Sequence, residues 1–396
     1  MDISKFPISL GDEQITVFST PGLPAWDILM PAVTLLARCC QLHPLSRVLL
    51  MGCDLGALSV YIARLFPEVH LTITDQNFTA LELCRQALST NGIAPHRVNI
   101  LAAIDFPPEL SASQDAIFML LPKGRLLSRR WLVQAHSLLK PSGHLYLAGS
   151  NRAGIRSVDA DARQLFGNGR VLAYKKGNRV AEYSLQPITG FLPDWASMPG
   201  VTPHTWVEFN ITVSGHTLSI RSLPGIFSSD HLDEGTALLL ANLRIPGRAR
   251  VLDVGCGYGI IGISAAIQGA SLVHLVDNNL LAVAATCENL SLNHITCAKV
   301  FTGDLLDPLG RYQYDLILSN PPFHRGYQVD DQIAQAMIRQ SFQALNQGGR
   351  LVIVANRFIR YDRLIKETFG NASILAESGK FHLLSGLKSS NLHGDR

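Results

Sequence analysis

One half of this chain echoes the other. Val48-Leu49-Leu50-Met51-Gly52-Cys53-Asp54-Leu55-Gly56 returns as Val251-Leu252-Asp253-Val254-Gly255-Cys256-Gly257-Tyr258-Gly259, at an offset of 203. Asp75 ends Leu71-Thr72-Ile73-Thr74 as Asp277 ends Leu272-Val273-His274-Leu275-Val276. Asp115-Ala116-Ile117-Phe118-Met119 pairs with Asp315-Leu316-Ile317-Leu318-Ser319, and Gly143-His144-Leu145-Tyr146-Leu147 with Gly349-Arg350-Leu351-Val352-Ile353. Asn151-Arg152 has its counterpart in Asn356-Arg357. Landmarks in one order at nearly constant spacing indicate a duplicated domain. The repeated segments are short apolar runs of strand length, with helical stretches such as 280–293 and 331–345 between them. That alternation predicts a mostly parallel, doubly wound α/β sheet in each half.

A chain of 396 residues exceeds ordinary single-domain size, which agrees with two domains. With 47% hydrophobic and 16% charged residues it can bury two cores, and disorder is excluded as its general state. A formal charge of +3 permits a nucleic-acid partner without demanding one. The seven cysteines, at 39, 40, 53, 84, 256, 287 and 297, form no C-x-x-C pair and lie mostly in apolar settings. They read as reduced core residues, and no metal is expected. No basic region followed by a long apolar stretch opens the sequence, and no uncharged run reaches membrane-spanning length. A soluble cytoplasmic protein with no membrane partner is expected.

The segment between the repeats reads differently. Residues 171–174 and 180–183 flank Lys175-Lys176-Gly177-Asn178-Arg179, a hairpin signature. Residues 187–203 are rich in Pro and Gly, and 206–213 with 217–223 flank Ser214-Gly215 as a second hairpin. The expected organisation is a first copy over 1–167, a strand-rich connector over 168–222 and a second copy over 223–396, with the halves dividing near 200. The chemistry differs between copies. Where the second has Asp253, Gly257 and Asn320, the first has Leu50, Asp54 and Leu120. Asp54 would put a Cβ and a charge into a turn that calls for glycine, so the first copy is expected to be degenerate and catalytically inactive.

In an open α/β sheet the carboxyl ends of the strands meet at one ligand crevice. Two turns of the second copy would face each other there: the glycine turn after 251–254 and Ser319-Asn320-Pro321-Pro322-Phe323-His324 after 314–318. By spacing alone, Gly257-x-Gly259-x-x-Gly262 with Asp277 about twenty residues on also satisfies the dinucleotide fingerprint, so a nicotinamide cofactor competes. Ahead of the copy, Leu223-Pro224-Gly225-Ile226-Phe227-Ser228-Ser229-Asp230-His231-Leu232-Asp233-Glu234-Gly235-Thr236 forms a loop entering a helix, whose N–H groups suit an anionic carboxylate.

The string Asp253-x-Gly255-x-Gly257-x-Gly259 together with Asn320-Pro321-Pro322-Phe323 resembles the amino-group branch of class I S-adenosylmethionine-dependent methyltransferases. With His324, the lead-in 223–236, Pro122-Lys123 and Val354-Ala355-Asn356-Arg357, the likeness to bacterial ribosomal RNA guanine-N2 methyltransferases covers nearly the whole chain. It leans toward the enzymes acting on small-subunit (16S) RNA, with the large-subunit (23S) type as neighbour. Tandem Rossmann-like methyltransferase domains, the first degenerate, are implied.

The resemblance implies S-adenosylmethionine as cofactor, held by Asp253, Gly255, Gly257, Gly259, Asp277 and Asn278. Asp304 would lie at its adenine amino group, Phe227 would cover it, and Asp233 with Thr236 would border its methionine tail. Asn320 Oδ1 and the Pro321 carbonyl would accept the N–H bonds of an exocyclic amine, and Phe323 would offer a stacking face for a flipped base. Pro322, His324 and Arg357 are the remaining substrate candidates. Lys123, Arg125, Arg129 and Arg130, then Lys175, Lys176 and Arg179, then Arg357, Arg360, Arg363 and Lys366 could touch the phosphates of a ribosomal RNA or subunit. A monomer is expected, because an internal duplication can replace a dimer partner. Rival substrates are an adenine N6 or a glutamine N5 amine; the non-enzymatic rival is an RNA-binding protein.

Overall fold

The computed structural model describes residues 3–23, 26–167, 169–185, 192–321 and 329–389. The chain divides into two compact units, Met1–Trp206 and Val207–Arg396. The first begins with a hairpin, β1 (Ser4–Leu10) and β2 (Glu13–Ser19), then runs α1 (Pro31–Cys39), β3 (Arg47–Met51), α2 (Ala57–Leu65), β4 (His70–Thr74), α3 (Phe78–Thr90), β5 (Val98–Ile100), β6 (Gln114–Leu120), α4 (Arg125–Leu138), β7 (Leu139–Ser150), α5 (Ile155–Phe166), β8 (Arg170–Lys175) and β9 (Asn178–Ser184). Its seven-stranded sheet has the order β5-β4-β3-β6-β7-β9-β8.

The second unit repeats this with β10 (Val207–Val213) and β11 (His216–Ser222) as hairpin. There follow α6 (Glu234–Asn242), β12 (Arg250–Val254), α7 (Ile260–Ile267), β13 (Leu272–Asp277), α8 (Leu280–Leu292), β14 (Ala298–Thr302), β15 (Tyr314–Ser319), α9 (Val329–Ala344), β16 (Leu345–Asn356), α10 (Tyr361–Phe369), β17 (Ser373–Glu377) and β18 (Phe381–Leu387). The order is β14-β13-β12-β15-β16-β18-β17, the same path through the sheet. The five strands from β14 to β16 are mutually parallel, and β18 is antiparallel to both β16 and β17. The expected doubly wound α/β class is what forms, twice.

The segment 168–222, expected as a connector, does not form a unit of its own. Its first hairpin, β8 with β9, completes the first sheet, and its second, β10 with β11, opens the second unit. Hairpin signatures reveal strands but not their ownership, because sheet membership depends on partners far along the chain.

One partly buried asparagine per unit fastens the opening hairpin. In the first, Asn91 exchanges hydrogen bonds with the Thr16 backbone at 3.1 and 2.7 Å. In the second, Asn293 does so with Ser219 at 3.2 and 2.9 Å. Both asparagines are the C-caps of their helices, α3 and α8. Satisfying an edge strand's backbone this way keeps it from remaining an open pairing edge.

Alternation along the central strands sorts their side chains by face. Leu252, Val254, Ile317, Leu351 and Ile353 form a core with Met337 and Ile338 of α9 and with Tyr361, Ile365 and Phe369 of α10. Asp253 therefore points to the other face, where α7 lies against the sheet. A Cβ on Gly262 of α7 would come within 2.3 Å of Leu275 Cδ2, so this glycine permits the close helix–sheet approach. Strand order reverses between β12, which leads on to β13 and β14, and β15, which leads on to β16. Ligand crevices open at the carboxyl ends on either side of such a switch point.

Candidate active site

The glycine turn leaves β12 at that switch point. Gly255 and Cys256 donate to Val276 O at 2.9 and 3.1 Å, and Gly257 N donates to Asp277 Oδ2 at 2.9 Å. Asp277 Oδ1 accepts from Asn279 N at 2.9 Å. Burial raises the Asp277 pKa, opposed by the N–H groups of Asn279, Gly257 and Asn278. The first unit keeps a similar arrangement with the turn donor one residue earlier: Asp75 accepts from Cys53 N at 2.9 Å and Asn77 N at 2.8 Å. Asp277 thus has a structural task that survives where the other site residues are lost.

Gly257 adopts φ +58°, in the left-handed region that favours glycine. Its counterpart Asp54 is forced to φ +49°. Neither oxygen of Asp54 makes a hydrogen bond of good geometry among the described residues, and burial pushes its pKa up to about 7 despite the Leu55 N–H nearby.

Asp253 is fully buried. Its Oδ2 accepts from Gly262 N at 2.9 Å, whereas Oδ1 has no partner among the described residues. Burial, with Gly262 N opposing and the Asp277 charge adding, pushes its pKa up to about 7. Asp304 follows β14 in a loop tied to Asp277 through Gly303 N at 3.0 Å, and burial with the Asp307 charge pushes it up to about 6.

Asn320 follows β15, whose last residue donates Ser319 Oγ to Val254 O at 2.8 Å, fastening the two strand ends together. The Asn320 amide nitrogen donates to Asp233 Oδ2 at 3.1 Å and Thr236 Oγ1 at 2.8 Å. Its Oδ1 is buried without a partner among the described residues. Asp233 is the N-cap of α6, accepting from Thr236 N at 2.9 Å. Pro321 is buried beside Asn320. Pro322, Phe323 and His324 lie outside the described residues.

Phe227 is 61% exposed, while its neighbour Ile226 is buried and approaches within 3.9 Å of the place a Gly257 Cβ would take. Asn278 is partly buried. Its neighbour Asn279, not singled out from the sequence, caps α8 through Leu281 N at 3.0 Å and ties down the lead-in through Gly225 O at 2.9 Å. Thr286 and Asn289 of α8 were also missed. Thr286 Oγ1 donates to Gly257 O at 2.8 Å, and Asn289 Nδ2 to Tyr258 O and Arg221 O, both at 2.9 Å. Their sequence signal is slight, since polar residues inside an apolar helix show only that something polar is nearby.

Arg357 follows β16 with a half-exposed side chain 4.0 Å from Glu377. Several other basic residues expected on phosphates are engaged internally. Arg125 and Arg129 both grip Asp161, Arg130 is buried on Asp105 and the Gly200 carbonyl, and Arg179 pairs with Asp159. Arg360 and Arg363 pair with Asp362 and Glu367. No helix among the described residues is long and apolar enough to cross a membrane, and no group of His, Cys, Asp or Glu among them could hold a metal ion.

Two buried acceptors without partners, Asp253 Oδ1 and Asn320 Oδ1, thus stand at the ends of neighbouring strands beside a glycine turn. Acceptors in this state suit a ligand carrying N–H donors.

The profile of the family described as "Methyltransferase small domain" matches residues 14–182 and again 217–385. The chain is 34% identical over 274 residues, 68% of its length, to the ribosomal RNA small subunit methyltransferase C of Salmonella newport (strain SL254), covering 75% of that protein. To its namesake in Psychromonas ingrahamii it is 33% identical with the same coverage. The solved structure of the T. thermophilus 16S rRNA N2 G1207 methyltransferase in complex with AdoMet and guanosine superposes with a TM-score of 0.81 and 25% identity, over 97% of this chain and 98% of that one. The chain belongs to the methyltransferase small domain family and carries that domain twice.

Proposed function

We infer that this protein is an S-adenosylmethionine-dependent enzyme that methylates the exocyclic N2 amino group of a guanine in 16S ribosomal RNA. The observation that carries the reading is the buried Oδ1 of Asn320, without a partner among the described residues, at the switch point of a methyltransferase sheet. The curated relatives at 34% identity and the guanosine-bound neighbour at TM-score 0.81 support the substrate.

A guanine amino group is a weak nucleophile because its lone pair is delocalised into the ring. Asn320 Oδ1 and the Pro321 carbonyl accept its two N–H bonds, pull the nitrogen toward tetrahedral geometry and localise the pair. The cofactor supplies a methyl group on a positively charged sulfur. The new N–C bond forms as the S–C bond breaks, and the resulting ammonium is acidic enough to lose its proton to water. No strong base is required, so the residues act by position and electrostatics.

Asp253 Oδ1 takes an N–H of the cofactor directly or through water, Asp277 accepts its ribose hydroxyls, Asp304 its adenine amine, and Gly255, Gly257 and Gly259 admit it to the backbone. Asn278 borders it, and Phe227 covers it. Phe323 stacks on the flipped base, flanked by Pro322 and His324, and Arg357 meets an RNA phosphate. The protein works in the cytoplasm as a monomer.

The test is methyl transfer to ribosomal subunits from a strain lacking this gene, with the modified nucleotide mapped. Methyl on guanine N2 of 16S RNA is expected, the position equivalent to G1207 being the first to inspect. Methyl only on 23S RNA, DNA or protein would overturn the substrate assignment.

A further inference from the structure

An asparagine can serve as an acceptor only if its oxygen, not its nitrogen, faces the substrate. The two ends of a carboxamide have nearly the same shape, so its surroundings must choose. At Asn320 they do. Nδ2 has two hydrogens, and two acceptors meet it: Asp233 Oδ2 at 3.1 Å and Thr236 Oγ1 at 2.8 Å. The Thr236 hydroxyl donates its own hydrogen to the same Asp233 oxygen at 3.4 Å, which leaves its lone pairs for Asn320. Were the amide turned over, Oδ1 would face a carboxylate with no proton between them. The amide would lose its bond to Asp233 and bring two acceptors into buried contact, while Asp233 Oδ2 kept only its donors from Thr236.

The clamp is itself held. Asp233 caps α6 by accepting Thr236 N at 2.9 Å, so its oxygen is fixed to a helix terminus. Asp233 and Asn320 lie 87 residues apart in sequence and meet only through the fold. The first unit has Leu120 at the position of Asn320, with no amide to orient.

We propose that Asp233 and Thr236 are positioning residues that fix the Asn320 amide with its oxygen toward the guanine amine. The inference rests on the reading of Asn320 as the amine's acceptor. It gives Asp233 a role in turnover, where the sequence suggested a border to the cofactor's tail.

Three variants test it. Thr236→Val keeps the shape and removes the hydroxyl, and Thr236→Ser restores it. Asp233→Ser keeps a capping oxygen but is too short to reach Asn320. The readouts are kcat and KM with small ribosomal subunits, cofactor Kd by calorimetry, and melting temperature. Expected is a fall in kcat of about 10- to 100-fold in Asp233→Ser, the usual worth of a hydrogen bond to a charged group, and of about 3- to 10-fold in Thr236→Val, which removes a neutral one. KM, cofactor affinity and melting temperature stay at wild-type values, and Thr236→Ser recovers turnover.

Unchanged kcat in Thr236→Val would overturn the proposal. So would a kcat loss accompanied by an equal loss of cofactor affinity, which would make the pair cofactor ligands. If Asp233→Ser does not fold, the Thr236 pair decides alone. A wild-type protein that methylates no guanine amine would remove the parent reading and this one with it. A wild type that does so, with an indifferent Thr236→Val, removes only the clamp.

Discussion

Asp253, the proposed cofactor ligand, is a side chain that costs the fold stability. Its carboxylate is buried with one oxygen lacking a partner among the described residues, and its pKa is pushed up to about 7. An acid whose folded pKa lies above its unfolded value, about 3.9, costs stability once pH exceeds that unfolded value. The cost grows until pH reaches the folded pKa and is constant above it. Asp253→Asn is therefore expected to raise the melting temperature of the cofactor-free protein, more at pH 8 than at pH 5, and to weaken cofactor binding. Thermal melts at both pH values with calorimetric titration check this; equal effects at the two pH values would contradict it. The type of residue at Asp253 and Asn320 was legible in the sequence because each sits at a strand end beside a glycine or proline turn, and at Asp277 because it ends an apolar run about twenty residues past the glycine turn. The bond from Asn320 to Asp233 was not, since nothing local in either segment encodes a contact made through space.

Among the elements, α8 binds the site to the opening hairpin of its unit. Asn289 accepts from Arg221 N at 2.7 Å and donates to Arg221 O and Tyr258 O, so β11 and the glycine turn share one buried amide. Asn289→Ala would leave buried backbone groups unpaired on both. A loss of about 2–4 kcal/mol in the second unit is expected, several unmet hydrogen bonds at about 1 kcal/mol or more each. Denaturant unfolding measures it, and hydrogen exchange should accelerate along β11; wild-type stability would show that the hairpin is held by its apolar face instead. The strands and helices of the sheet were readable from apolar runs and turn residues. Ownership of the hairpins was not, because β8 with β9 and β10 with β11 look alike in sequence and differ only in the sheets they join.

Across the whole molecule, the duplication extends beyond the strings that reveal it. β1 begins at Ser4 and β10 at Val207, and β9 spans Asn178–Ser184 as β18 spans Phe381–Leu387, all at the offset of 203 set by the glycine turns. The sheet order is reproduced while Leu50, Asp54 and Leu120 replace the residues that would bind and react, so fold and chemistry have parted in the first copy. One cofactor per chain is expected in a calorimetric titration, and two equivalent sites would contradict a degenerate first half. The central claim is that the Asn320 amide oxygen, held at the switch point of the second sheet, makes the guanine amine reactive. Its most direct test is single-turnover methyl transfer to small ribosomal subunits by Asn320→Ala alongside the wild type. A rate loss of at least about 100-fold with cofactor affinity retained is the expected result; a variant that still transfers methyl at the wild-type rate would contradict it.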